Sequence, residues 1–255
     1  MAEPPPGPTA ATPRPAPPPA ATARVALVSG GSRGIGLATA TALARRGHRV
    51  LVGSRSGRAA AGLTGLTCDV TDSQQVEDAF AQAERDHGPV QIVVSNVGAR
   101  DDGLLMRMAE HSFRRTIDTN LTGAWRLLRR AAAGMADTGW GRVVLVSSVA
   151  AVLGTPGQAN YAAAKAGLAG LARSAARELG PSGITVNVVL PGFVDTDLTR
   201  DLPPRRRESI LSGVPLGRSG TAREIAETVA FLTDEQAGYV TGAVLPVDGG
   251  LAMGH

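Results

Sequence analysis

The sequence predicts an α/β protein built on one doubly wound parallel sheet. Three observations carry that prediction. Short apolar runs alternate with helical stretches along most of the 255 residues. The strand-like runs are rich in Val and Leu with little polar alternation, as expected where both faces of a sheet are buried. A glycine-rich turn, SGGSRGIG at 29–36, joins the first strand to the first helix.

The elements follow in order. RVALVSG (24–30) reads as the first strand and GIGLATATALARRG (34–47) as a helix ended by Gly47. HRVLVGS (48–54) and LTGLTCDV (63–70) are the next strands. A helix then opens at Thr71 or Asp72, residue types that cap helix N-termini. VQIVVSN (90–96) is the fourth strand, followed by one long helical pattern over about 112–136. GRVVLVSS (141–148) is the fifth strand and 158–179 a second long helix. GITVNVVLPG (183–192), a helix over about 221–233, and GAVLPVDGG (242–250) complete the count at about seven strands. The whole of 24–255 reads as a single Rossmann-type domain without internal repeats. Residues 1–23 are mostly Pro, Ala and Thr and cannot bury enough surface to offset their ordering entropy. They read as a disordered or polyproline-like tail; a misplaced start site accounts for them equally well.

Composition narrows the function. The formal charge of +4 comes without a dense basic block carrying interleaved aromatics, so nucleic acid is not the expected partner. An anionic small molecule or an acidic protein suits it. No apolar run approaches the roughly 18–20 residues of a membrane span. Cys68 is the single cysteine, so no internal disulfide forms, and a reducing, cytoplasmic setting is expected. No metal-ligand spacing is seen.

Chemistry concentrates where strands end. Gly30, Gly34 and Gly36 leave room for a tight turn and for close backbone approach, and the following helix offers free N–H groups to a pyrophosphate. The spacing is G-x-x-x-G-x-G, a variant of the usual dinucleotide fingerprint. A site for NAD needs a carboxylate at the end of the second strand, yet no Asp or Glu lies between Glu3 and Asp69. Arg33 in the turn and Arg55 at the strand end would meet a 2′-phosphate instead. NADPH is therefore the expected cofactor. Asp69 and Val70 are placed to meet the adenine. Asn96 and Gly98 end the fourth strand at the same edge.

Tyr161 and Lys165 are four residues apart, on one helix face. An ammonium about 4 Å from a phenol, at an effective dielectric near 20, is worth about 4 kcal/mol. That would lower the phenol by up to about three pK units, into working range for proton transfer. Ser148 closes the fifth strand, where its hydroxyl can donate to a carbonyl oxygen gaining charge. Asn120 interrupts the first long helical pattern, and a local kink holding a water is the functional reading of so poor a helix residue. Each of these residues alone has a bland explanation; their order behind a phosphate-binding turn favours the chemical one.

Taken together, SGGSRGIG, CDV, SNVG, NLTG, the Ser148–Tyr161–Lys165 set, PGFVDT and VDGG resemble the classical short-chain dehydrogenase/reductase family from about residue 24 onward. Within it, GLTCDVTDS, LLMRM, QANYAAAKAG and VDGGLAMGH resemble the 3-oxoacyl-[acyl-carrier-protein] reductases, particularly those of mycolic-acid-type elongation. The resemblance implies Tyr161 as general acid and substrate contact. Lys165 becomes its tuner and a ribose contact, Ser148 the polariser of the substrate carbonyl, and Asn120 a member of the proton relay. It implies cofactor contacts from Gly30, Ser32, Arg33, Gly34, Ile35 and Gly36, and nicotinamide contacts from Val194 and Thr196. It also implies a substrate carried on acyl-carrier protein or coenzyme A, and a homotetramer formed through the two long helices. Two positions depart from the family pattern: Ser29 replaces a threonine, and Val97 replaces an alanine beside the cofactor. The segment 197–217, with Arg205–Arg207, reads as a mobile lid or as a solvated loop. Arg126, Arg129 and Arg130 are uncommitted. Reduction of another carbonyl, and a nucleotide-binding protein without catalysis, are the alternatives.

Overall fold

The computed structural model of the protein describes residues 23–196, 199 and 203–254. Almost all of the proline-rich tail (1–22), and residues 197–198 and 200–202 of the expected lid, lie outside the described residues.

Seven parallel strands form one sheet in the order β3-β2-β1-β4-β5-β6-β7. They are β1 Val25–Ser29, β2 Arg49–Ser54, β3 Thr64–Thr67, β4 Val90–Ser95, β5 Gly141–Val146, β6 Ile184–Pro191 and β7 Val244–Val247. Every residue of β1, β5 and β6 is buried, which explains why these strands show no polar alternation. Strand order reverses between β1 and β4, which pair in parallel through Ala26↔Ile92 to Ser29↔Ser95. That switch point opens a crevice at the carboxyl ends of the strands.

Helices cover both faces. On one side, α1 (Gly34–Arg45) packs through Leu43 with Ile225 and Val229 of a C-terminal helix, Ala222–Thr233. On the other, α2 (Ser73–His87) contributes Phe80 to a second cluster shared with Leu127 and Leu168. Helix starts follow their capping chemistry. Asp72 accepts from the backbone of Gln74 and Gln75, and Thr221 and Glu224 form a reciprocal capping box. By contrast, the N-terminus of α1 at Arg33 carries no side-chain cap.

The long helical pattern over 112–136 is not one helix. It consists of α3 (Glu110–Ile117), a single π turn over Asp118–Thr122, and α4 (Gly123–Thr138). The widened turn contains Asn120, whose amide binds backbone groups on two elements. Gly123 follows it because a Cβ there would come within 2.7 Å of Val70. A short α5 (Ala150–Leu153) precedes α6 (Ala159–Leu179). Within the expected lid, Pro204–Leu211 forms a helix, α7, and the 222–233 helix becomes α8. Helix α7 has a proline at its first position, a pre-organised start, but no apolar stripe that would mark it in the sequence.

Candidate active site

A cleft of about 750 Å³ lies at the carboxyl edge of the sheet. Its floor is the turn after β1. Gly30 and Gly34 adopt φ of 64° and 55°, a region open to glycine. A Cβ on Gly36 would sit 2.2 Å from the Gly30 carbonyl oxygen, so the helix can meet the turn only through glycine. Asn96 locks this arrangement: its Nδ2 donates to Gly30 O at 3.1 Å, and its backbone N donates to Ser29 Oγ at 3.2 Å. Ser29 in turn donates to Val94 O, tying β1 to β4, so serine serves where the family pattern has threonine. The uncapped end of α1 then faces an open cleft.

The opposite wall carries the tyrosine and lysine. Lys165 is buried, and its Nζ donates to Val146 O at 2.9 Å and Val97 O at 3.3 Å. Burial alone lowers its ammonium to about 8. The ammonium stands 5.8 Å from the centre of the Tyr161 ring. Burial pushes the Tyr161 phenol up; a hydrogen bond with Ser148 and the charge of Arg100 pull it back, and the charge of Asp102 adds to the rise. The expected lowering of the phenol by Lys165 is therefore not what the cleft shows. The lysine's reach is taken up by the two strand-end carbonyls, and desolvation of the phenol dominates. Ser148 Oγ also accepts from Ala150 N, which fixes the hydroxyl at the start of α5. The neighbouring Ser147 donates to the Lys165 carbonyl oxygen at 2.8 Å and so joins β5 to the middle of α6.

A family model described as enoyl-(acyl carrier protein) reductase matches residues 30–252. The chain belongs to the short-chain dehydrogenase/reductase family. Over 232 residues it is 50% identical to the 3-oxoacyl-[acyl-carrier-protein] reductase MabA of Mycobacterium tuberculosis, covering 91% of this chain and 94% of that protein. Over 238 residues it is 44% identical to the 3-oxoacyl-[acyl-carrier-protein] reductase FabG of Escherichia coli, covering 90% of this chain and 98% of that protein. The FabG of Pseudomonas aeruginosa is 44% identical over 241 residues, covering 90% of this chain and 98% of that protein.

For this short-chain dehydrogenase/reductase, the fold brings nearly all of the sequence-selected residues to one cleft. Ser32, Arg33 and Ile35 line it with Gly30 and Gly34. So do Arg55, Asp69, Val70, Asn96 and Gly98. Ser148, Tyr161, Lys165, Val194 and Thr196 complete the set. Gly36 and Asn120 stand one layer behind the wall. Asn120 Nδ2 donates to Ala99 O and Thr116 O, and its Oδ1 accepts from Ala99 N. A Cβ on Gly98 would meet Asn120 Oδ1 and Lys165 Nζ at the same 3.8 Å, so the two side chains converge on one point. The Asp69 carboxylate is already engaged by the backbone and hydroxyl of Thr71. Thr196 sits over Gly34, with a methyl 3.7 Å from where its Cβ would be, and Thr199 holds the turn by donating to Val194 O.

Sequence reasoning missed Arg100, Asp101, Arg115 and Gln158, which also line the cleft. The run RDD directly after SNVGA was the signal available for the first two. A stronger overlooked signal is that Lys165 is the only lysine among 26 basic residues. The three arginines left uncommitted have mostly structural partners. Arg126 pairs with Asp118 and donates to Val70 O; Arg130 bridges Glu77 and Glu84; Arg129 stacks on Trp125. Among the described residues no helix is long and apolar enough to cross a membrane, and no cluster of His, Cys, Asp and Glu could hold a metal.

Proposed function

We propose that the protein reduces the 3-oxo group of acyl thioesters, carried on acyl-carrier protein or coenzyme A, to the 3-hydroxyacyl product with NADPH. The observation that carries this reading is the half-buried Tyr161 phenol, hydrogen-bonded to Ser148 and backed by the Lys165 ammonium, in the same cleft as the glycine turn. The names of the relatives support the substrate class.

The cleft's donors fit a reduced dinucleotide. The turn at Gly30–Gly36 and the bare α1 terminus accept a pyrophosphate. Arg33 and Arg55 both line the cleft, and two guanidiniums there suit a 2′-phosphate. When bound, the nicotinamide supplies the hydride. Val194 and Thr196, following Pro191–Gly192, are the residues to hold its ring.

The protein's own groups manage the proton. Ser148 donates to the substrate's 3-oxo oxygen and holds it beside Tyr161. Tyr161, kept protonated by burial, gives its proton to that oxygen as charge develops. The departing proton leaves a phenolate in the same cleft as the Lys165 ammonium, which stands 5.8 Å from the ring centre, so the two opposite charges attract. The ammonium thus acts on the charge that forms rather than on the resting phenol. Asn120, converging with Lys165 at Gly98, is the relay residue in this reading. The same reading makes the enzyme cytoplasmic and a homotetramer through α4 and α6, where Trp125 of α4 remains partly exposed.

The family model's description favours one second reading, reduction of the carbon–carbon bond of an enoyl thioester. One kinetic series separates the two. NADPH and NADH oxidation are followed with 3-oxoacyl thioesters of rising chain length, with 2-enoyl thioesters and simple ketones in parallel. The highest kcat/KM is expected for a 3-oxoacyl thioester with NADPH. Turnover of enoyl thioesters alone, or of simple ketones at equal efficiency, overturns the proposal.

A further inference from the structure

Asn160 is completely buried, at the start of α6, directly before Tyr161. A buried primary amide must find partners for its donors and its acceptor, or its desolvation is uncompensated. Its partners lie on the loop after β4, on α3 and on α6 itself. Nδ2 donates to Asp101 O at 2.9 Å and to Thr116 Oγ1 at 3.0 Å. Oδ1 accepts from Tyr161 N at 2.8 Å, one of the orphan donors of the first helical turn. Thr116 Oγ1 donates onward to Ser112 O, so its oxygen is free to accept from Asn160. The Asp101 carboxylate takes hydrogen bonds from Ser112 and Arg115.

The segment after β4 is therefore held in two halves. Its first half, Val97–Ala99, is held by Lys165 and Asn120. Its second half is held by α6 and the turn before it. Asn160 takes Asp101, Gln158 donates to Asp102, and Gly103 N donates to Gly157 O. Gly98, the cofactor contact read from the sequence, belongs to the first half. The second half forms the wall beside the phenol: Asp101 lines the cleft, and the charges of Arg100 and Asp102 are felt at the Tyr161 hydroxyl.

We propose that Asn160 is a positioning residue that sets the Tyr161 phenol against the Asp101–Gly103 wall, and so fixes where the substrate's carbonyl meets its proton donor. This rests on the catalytic reading above, with Tyr161 as acid. A misplacement of about 1 Å at a reacting group can cost on the order of 100-fold in rate. Asn160 acts through Tyr161 and touches no substrate in this assignment.

The test uses the full chain and the best substrate found in the kinetic series, whatever carbonyl that is. Asn160→Asp keeps the acceptor for Tyr161 N and loses both donations. It is expected to lower kcat by about 10- to 100-fold, with NADPH affinity by fluorescence titration within about 2-fold of wild type. Thr116→Val removes one acceptor at nearly constant volume and should lower kcat by about 2- to 5-fold. The decisive measurement is a double-mutant cycle with Tyr161→Phe. In that background Asn160→Asp should cause no further loss, because the group it positions is gone. Wild-type kcat in Asn160→Asp overturns the proposal. So does a fully additive loss in the Tyr161→Phe background, or an equal loss of NADPH affinity. A wild-type protein that reduces no carbonyl would instead overturn the catalytic reading, before any variant is made.

Discussion

Lys165 and Arg142 are both buried cations, placed at opposite ends of the same sheet. Lys165 stands at the carboxyl edge, 3% exposed, with two backbone carbonyls as partners. Among the described residues no carboxylate pairs with it. Arg142 stands at the amino edge, 4% exposed, and is surrounded by compensation. It donates to Gly141 O and Gly183 O, lies 3.8 Å from Glu235, and stacks on Trp140 at 4.3 Å. Arg24 stacks on the same ring, and Glu235 accepts from both Arg24 and Trp140 Nε1. The lesson concerns what burial is for. A structural cation is neutralised where it sits, whereas Lys165 keeps an uncompensated charge that only a ligand or a nascent phenolate can use.

The contrast can be broken by substitution. The largest effect is expected at the group that depends on the uncompensated charge. Tyr161→Phe should lose about 10²–10⁴-fold in turnover while retaining NADPH binding, measured by steady-state kinetics and fluorescence titration. Undiminished turnover would remove the phenol from the mechanism.

Exchanging each cation for methionine tests the comparison itself. Lys165→Met should lose about 10²-fold or more in kcat/KM and shift the thermal midpoint by only a few degrees, because an uncompensated buried charge is removed. Arg142→Met should keep its kcat and lose about 1–3 kcal/mol in urea unfolding, because the carbonyls of Gly141 and Gly183 lose their donor and Glu235 loses an ion-pair partner. The reverse pattern, an unstable Lys165→Met with normal kcat, would mean that the two cations have been assigned the wrong roles.

pH sharpens the same point. Lys165 is lowered from 10.5 to about 8 in the folded protein. In the free enzyme its charge is lost as pH rises through about 8, so kcat/KM should show an alkaline limb there. Tyr161 is raised, not lowered, and adds no limb below its own ordinary value of 10. Stability moves the other way. Between about pH 8 and 10.5 the unfolded chain binds the lysine proton and the folded chain does not, so wild-type stability rises with pH relative to Lys165→Met. Urea unfolding of both proteins at about pH 7.5 and about pH 9.5 should show a relative gain of roughly 2 kcal/mol. An unchanged difference would place the lysine in water-like surroundings.

The smallest effect belongs to Cys68, whose thiol is pushed up to about 11 by burial and by the charge of Asp69. It should resist alkylation at neutral pH in the folded protein and react once unfolded, read by mass spectrometry. Rapid labelling of the native chain would mean that the cleft wall at the end of β3 opens.

Much of this molecule was legible in its sequence. The strand cores of β1, β5 and β6 announce themselves because both faces are buried and Val and Leu fill both. The Gly30–Gly36 turn was legible because a backbone with positive φ and no room for a Cβ permits only glycine. Tyr161 and Lys165 were placed together by helical spacing alone. The break at Asn120 was readable as an expected kink but not as a π turn, because its partners Ala99 and Thr116 lie on two separate elements. Helix α7 was not legible, since an exposed polar helix leaves no periodic trace.

The sequence by itself determined the order of elements, the glycine turn after β1 and the pairing of Tyr161 with Lys165 on one helix face, because these follow from local sterics and spacing. Tertiary structure alone decided their electrostatics. Whether the phenol rises or falls depends on burial and on Ser148, Arg100 and Asp102, which come from the segments after β5 and β4 rather than from its own helix. The same holds for Asn160: its residue type is visible in the chain, but its meaning lies in the loop after β4 and the helix α3 that its amide ties to α6.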